Sequence, residues 1–174
     1  FSISRKLNLQ NKKIVNTINK FRGLKYRQQI IYNSSKITFI NDSKATTFAS
    51  TINILKSLKK VFWLVGGIGK LGDKFTLKKR ECNNIRAYVF GKNKNFFIKQ
   101  FKNKLPYYCF KDLKSAVKQV LKEINNSRDN LHKTVLFSPS AASFDCFKNF
   151  EERGEYFNFL LKKYKVKETI NAIR

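Results

Sequence analysis

The 174-residue sequence contains no methionine, one histidine, three cysteines and only 11 acidic residues. Without a methionine, Phe1 is not an encoded start, and the chain is expected to be the later part of a longer protein. Cys82, Cys109 and Cys146 lie far apart with no C-x-x-C, and His132 stands alone, so neither a disulfide framework nor a metal site is expected. The thiols read as reduced and mostly buried, and His132, between two polar segments, as a capping or solvated residue. No apolar run approaches the roughly 20 residues that cross a bilayer, and no signal peptide is visible. The expectation is a cytoplasmic chain without a membrane segment.

Scarce acids against 37 Lys and Arg leave a formal net charge of +26, which first suggests nucleic acid. The lysines, however, are spread through every segment, and asparagine, isoleucine and phenylalanine are abundant beside them. Zinc-finger spacing, an RNP-type aromatic motif and an Arg-rich arm are all missing. A generically basic surface with no specific nucleic-acid partner is the better reading.

A hydrophobic fraction of 42% in a chain of this length argues for one packed domain. Periodicity supplies its order. "KKIVNTINKF" (12–21) reads as a helix with Ile14, Ile18 and Phe21 on one face, stopped by Gly23. "YRQQIIY" and "KITFI" read as strands joined by "NSSK", and "TTFASTINILKSL" (46–58) as a helix. "KVFWLV" (60–65) is a continuous apolar run, the pattern of a strand buried on both faces. Then follow a weak helix "FTLKKRECNNI", a strand "RAYVF", a helix "NFFIKQFKN" and a short strand "YYCF". The amphipathic helix "DLKSAVKQVLKEINN", capped by Asp112, leads to the last strand "KTVLF" (133–137). "FEERGEYFNFLLKKY" (150–164) closes as a helix, acidic in its first turn and basic in its last. Such alternation predicts an α/β fold: a Rossmann-like, mostly parallel sheet with helices on both faces, in a single domain.

"NDSKAT", "GGIGK" and "SPSAASFD" each follow a strand and therefore share the carboxyl edge of the sheet, where open α/β sheets bind ligands. Lys44 and Lys70 suit carboxylate or phosphate oxygens, Thr46 and Ser143 can donate to the same anion, and the helix beginning near Thr46 adds backbone donors. Asp42 would balance a nearby base such as Arg27. Each has an ordinary alternative as a cap, a turn residue or a solvated lysine; it is their joint placement that predicts a site. "GGIGKLG" is no phosphate-cradling P-loop, since Leu64 stands at the first glycine position and Leu71 at the hydroxyl position. Nor is there a nucleophile elbow, a Cys–His pair or a convincing carboxylate dyad. Glu151 and Glu152 are explained as well by stabilising a helix start as by catalysis. The residues alone therefore lead to an anion-binding α/β domain and not to a reaction.

"FRGLKYR" (21–27), "INDSKAT" (40–46), "WLVGGIGK" (63–70) and "LFSPSAASFDCFKNFEERGEYF" (136–157) run in the order and spacing of a Mur ligase C-terminal domain, a resemblance covering roughly 21–164. No Ala/Gly-His-x-Pro pattern follows Asp42, so the chain is most similar to the D-glutamate-adding branch. The resemblance implies an ATP-dependent ligase of peptidoglycan precursor synthesis. Such enzymes phosphorylate the carboxylate of UDP-N-acetylmuramoyl-L-alanine, and D-glutamate's amine then attacks the acyl phosphate. It further implies that Thr46, Lys70, Ser143 and Phe150 hold D-glutamate, assisted by backbone near Phe144, and that Lys44 stabilises charge at the reacting centre. Arg27 and Asp42 would contact the nucleotide or order the loop that does. Residues 1–20 would be the tail of a central ATPase domain and 21–174 the amino-acid-binding domain of a monomer. ATP and Mg2+ would be held mainly outside this chain, which alone would be inactive. Tyr26 stands where the family often has histidine, Ala141 where it usually has cysteine, and "LGDKF" is one residue longer than some versions. A non-enzymatic anion-binding remnant and a basic nucleic-acid-binding module are the alternative readings.

Overall fold

In the computed structural model, which describes residues 2–21, 23–127 and 129–166, the strands are β1 (Gln29–Asn33), β2 (Ile37–Asn41), β3 (Val61–Gly66), β4 (Ile85–Phe90), β5 (Tyr107–Cys109) and β6 (Lys133–Phe137). Arg22 of the "FRGLKYR" block and residues 167–174 of the expected domain lie outside the described residues. The helices are α1 (Ser2–Lys6), α2 (Asn11–Lys20), α3 (Phe48–Ser57), α4 (Lys94–Phe101), α5 (Leu113–Asn126) and α6 (Phe150–Lys163). The sheet order is β1-β2-β6-β3-β4-β5, with β1 antiparallel to β2 and every other pair parallel. The fold is the expected Rossmann-like α/β domain.

Its two faces follow from the period-2 alternation of side chains. Val61, Trp63 and Val65 pack with Ile40, Ala87, Val89 and Leu136 beneath α3 and α4, while Phe62, Leu64, Phe39, Tyr88 and Phe137 pack beneath α5 and α6. All six residues of β3 are buried, as its unbroken apolar run requires. Phe48, the first residue of α3, is fully buried, and its ring lies 5.6 to 6.4 Å from those of Trp63, Phe75, Phe96, Phe97 and Phe101.

Three expectations change. "FTLKKRECNNI" is not a helix: it runs irregularly through a single 3-10 turn, Lys79–Glu81. Phe75 and Leu77, two apart, are both buried in the core, a strand-like spacing that a helix could not satisfy. In α2 only Ile14 is buried, and Ile18 and Phe21 are exposed. Of the cysteines only Cys82 is buried; Cys109 and Cys146 are exposed. His132 is structural, its Nε2 3.0 Å from Thr38 Oγ1 and its Nδ1 3.0 Å from the Ser35 carbonyl.

The few acids are used locally. Asp112 caps α5 by accepting from the Ser115 amide at 2.8 Å, Glu152 accepts from the Lys148 amide at 2.6 Å at the start of α6, and Asp73 accepts from the Phe48 amide at 2.7 Å at the start of α3. Lys56, Lys60, Arg86 and Lys133 form ion pairs with carboxylates.

Two measurements check this architecture. Phe48→Ala should lower the free energy of unfolding by about 3–5 kcal/mol, read from urea denaturation. Asp112→Ala should cost about 1 kcal/mol at neutral pH through loss of the cap. The Ser115 amide and hydroxyl hold the Asp112 carboxyl below its ordinary value. The contribution of a carboxyl so lowered is present above its unfolded value and disappears as pH falls through the folded one, so wild type and variant should converge in acid.

Candidate active site

The sheet order explains why the three polar motifs meet. β6 lies between β2 and β3, so the loops leaving β2, β6 and β3 are immediate neighbours at the carboxyl edge. The chain leaving β2 and β3 runs over the face covered by α3 and α4, whereas the chain leaving β6, which lies between them, passes to α6 on the other face. Where neighbouring strands send their loops to opposite faces, open α/β sheets form their ligand crevices. Because β1 runs antiparallel, with Gln29 opposite Asn41, the residues before it also reach this edge. That is how Arg27 comes near Asp42.

Hydrogen bonds join the loops. The β3 and β6 loops form a two-way bridge, Ile68 and Ala142 exchanging amide-to-carbonyl bonds of 2.9 and 3.0 Å. The Gly66 amide donates to the Pro139 carbonyl at 3.1 Å. A Cβ on Gly66 would stand 2.2 Å from the Phe90 carbonyl oxygen, and one on Gly67 2.3 Å from that of Ala142. With Gly67 also at φ +123°, these glycines serve close backbone approach rather than a phosphate cradle. The Asp42 amide donates to the Phe137 carbonyl at 2.7 Å, and that of Lys44 to the Tyr26 carbonyl at 3.0 Å, tying the β2 loop to β6 and to the segment before β1.

Beneath these loops is a layer of buried polar side chains. Asp42 accepts from the Gln28 amide at 3.1 Å and the Ser138 hydroxyl at 2.8 Å, and Ser138 continues through Thr51 to Ser140 at 2.7 Å each. Burial raises the Asp42 carboxyl above the usual range, opposed by the Ser138 and Gln28 hydrogen bonds and by the charge of Arg27. Both oxygens are thus engaged within the chain. Asn41 donates to the Gly154 carbonyl and to Asn158 Oδ1, each at 2.9 Å. Arg153, 1% exposed, donates to Ser43 Oγ at 3.2 Å, the Ser43 carbonyl at 2.8 Å and the Ala141 carbonyl at 2.9 Å. Burial lowers its guanidinium to about 10, with Asp145 opposing the shift, so it stays charged near neutrality.

The remaining expected residues form the outer layer. The Lys44 ammonium lies 3.9 Å from the centre of the Phe150 ring, a cation–π contact joining the β2 loop to the first residue of α6. Thr46 and Lys70 are exposed, and Ser143 is buried. None of the three side chains makes a hydrogen bond or ion pair among the described residues. Phe144 is 73% exposed. The α3 start is less available than expected: Asp73 already holds the Phe48 amide, and Thr47 accepts from the Ser50 amide. The described residues contain no group of three His, Cys, Asp or Glu able to hold a metal ion.

No protein-family profile matches the chain. Curated relatives do. It is 35% identical over 164 residues, 94% of its length, to the UDP-N-acetylmuramoylalanine–D-glutamate ligase of Rickettsia felis. Identity is 32% over 172 residues to the enzyme of that name from the Wolbachia of Brugia malayi, and 37% over 152 residues to that of Hydrogenobaculum. The chain is a Mur ligase homologue. It spans about a third of each relative, 36% for Rickettsia felis and 34% for Wolbachia. The fold also matches the UDP-N-acetylmuramate–alanine ligase of Thermotoga maritima, with a TM-score of 0.56 at 13% identity over 95% of this chain and 36% of that one.

Sequence reasoning missed Arg153, Asn41, Ser138 and Thr51 in this Mur ligase homologue. Arg153 left a signal: with Phe157, Leu160 and Leu161 it occupies positions i, i+4, i+7 and i+8, a charge on the buried face of α6.

Gly67→Ala should separate the β3 and β6 loops. It should destabilise the chain by more than about 1 kcal/mol, because alanine cannot relax at that φ. Amide exchange at Ile68 and Ala142 should accelerate more than at Leu64.

Proposed function

We propose that this chain is the amino-acid-binding part, at the C-terminal end, of an ATP-dependent ligase that adds D-glutamate to UDP-N-acetylmuramoyl-L-alanine in peptidoglycan precursor synthesis. One observation carries the reading. Lys44 with Thr46, Lys70 and Ser143 stand on loops from three adjacent parallel strands, and these loops are bonded to their neighbours in a Mur ligase homologue. D-glutamate brings two carboxylates, which the Lys70 ammonium and the Thr46 and Ser143 hydroxyls can receive as charge-assisted hydrogen bonds. Phe150 and backbone near Phe144 wall the ligand. Lys44, resting on Phe150, faces the reacting centre and stabilises the negative charge that develops as the amine attacks the acyl phosphate.

Arg27 is the nucleotide-side residue, with Asp42 ordering the turn that carries it. ATP and Mg2+ are bound by portions of a longer, cytoplasmic, monomeric ligase, and residues 1–20 belong to its ATPase portion. The 174-residue chain alone is therefore an inactive binding domain.

Titration of the isotopically labelled chain with D-glutamate tests this. Amide shifts should saturate at residues 43–46, 68–70 and 142–144, and L-glutamate should bind more weakly. Lys70→Ala and Ser143→Ala should each weaken binding roughly tenfold or more, the cost of a hydrogen bond to a charged group. Absence of saturable shifts would overturn the assignment of the ligand. D-glutamate-dependent ADP formation by this chain alone would overturn its inactivity.

A further inference from the structure

Arg153 is the only arginine or lysine in the chain that is 1% exposed or less among the described residues, and it makes no ion pair there. Its three nitrogens donate instead to Ser43 Oγ, the Ala141 carbonyl and the Ser43 carbonyl. Ser43 immediately precedes Lys44, and Ala141 stands two residues before Ser143. A planar guanidinium is suited to fixing two carbonyls at one separation, which a lysine ammonium cannot do. Other contacts fix the fork itself: Asn149 caps the helix that carries it, and the Tyr26 ring lies where a Cβ on Gly154 would stand, 2.4 Å from its Cδ1.

We infer that Arg153 is a positioning residue: it sets the separation of the β2 loop, bearing Lys44 and Thr46, from the β6 loop, bearing Ser143, and through it the affinity for the anionic amino acid. The inference deepens the proposed function and rests on its assignment of the ligand. Two features make the role more than packing. The charge is buried although no carboxylate pairs with it, and each carbonyl it holds belongs to a different ligand-bearing loop. An apolar side chain of similar volume would fill the space but leave both carbonyls without that donor.

The test uses the 174-residue chain with D-glutamate as probe, and reads amide exchange, affinity and thermal stability separately. In Arg153→Lys the sheet should persist, with exchange at Leu64 and Leu136 unchanged. The Lys44 and Ala142 amides should exchange at least tenfold faster, together, and D-glutamate should bind about tenfold more weakly. In Arg153→Ala the loss should be larger, and millimolar guanidinium should restore part of the affinity by occupying the vacated site. If Arg153→Ala does not fold, Arg153→Lys carries the test. Lowered thermal stability with unchanged D-glutamate affinity in Arg153→Lys would overturn the positioning role while leaving the proposed function standing. If the wild-type chain binds no D-glutamate, the ligand assignment fails by itself, and coupled exchange at Lys44 and Ala142 still decides whether one side chain holds both loops. Independent exchange at those amides would overturn that.

Discussion

One buried guanidinium joins the elements that make this molecule more than a stack of sheet and helices. The sheet fixes β2, β6 and β3 side by side, but strand pairing ends where the strands end. Past that edge the chain is in loops, whose amides and carbonyls must find other partners. Arg153 supplies donors to two of the loops from a helix packed beneath them. Placing an unpaired cation there costs solvation, which lowers its affinity for the proton. Carbonyl dipoles aligned on the guanidinium offset part of that cost, so helix and loops hold one another in a single arrangement.

Around this contact the polar residues divide into two layers with different chemistry. Asn41, Asp42, Ser43, Ser138, Thr51 and Ser140 are buried, and their side chains bond to one another or to backbone. Such a network is rigid because loosening any member strands a partner in a low-dielectric interior. Above it, Thr46 and Lys70 reach solvent with their donors uncommitted. A bonded floor under uncommitted donors is the arrangement that pre-organises a binding site without occupying it.

Much of this was readable beforehand. Every strand announced itself by an apolar run, and the placing of the three motifs at one edge needed only the rule that βα loops share the carboxyl end. What stayed hidden was order and partnership. Nothing in "KTVLF" says that it inserts between β2 and β3, and that insertion alone makes the three loops adjacent. The stretch 75–85 misled because its lysines and glutamate favour helix, while the long-range burial of Phe75 and Leu77 decided the outcome. Asp42 was read correctly as a polar strand end, yet its partners Gln28 and Ser138 lie 14 and 96 residues away. Local pattern cannot carry contacts of that range.

The thrift with carboxylates has a further consequence. Several of the acids are taken up at helix starts and a few by ion pairs, and the formal net charge of +26 attracts anions of every kind. Net charge of that size hastens collision with an anion without choosing among anions. Discrimination cannot reside in that diffuse field, which treats all anions alike and fades with added salt. It has to be made at contact, over the few ångströms that separate three loops held at fixed spacing.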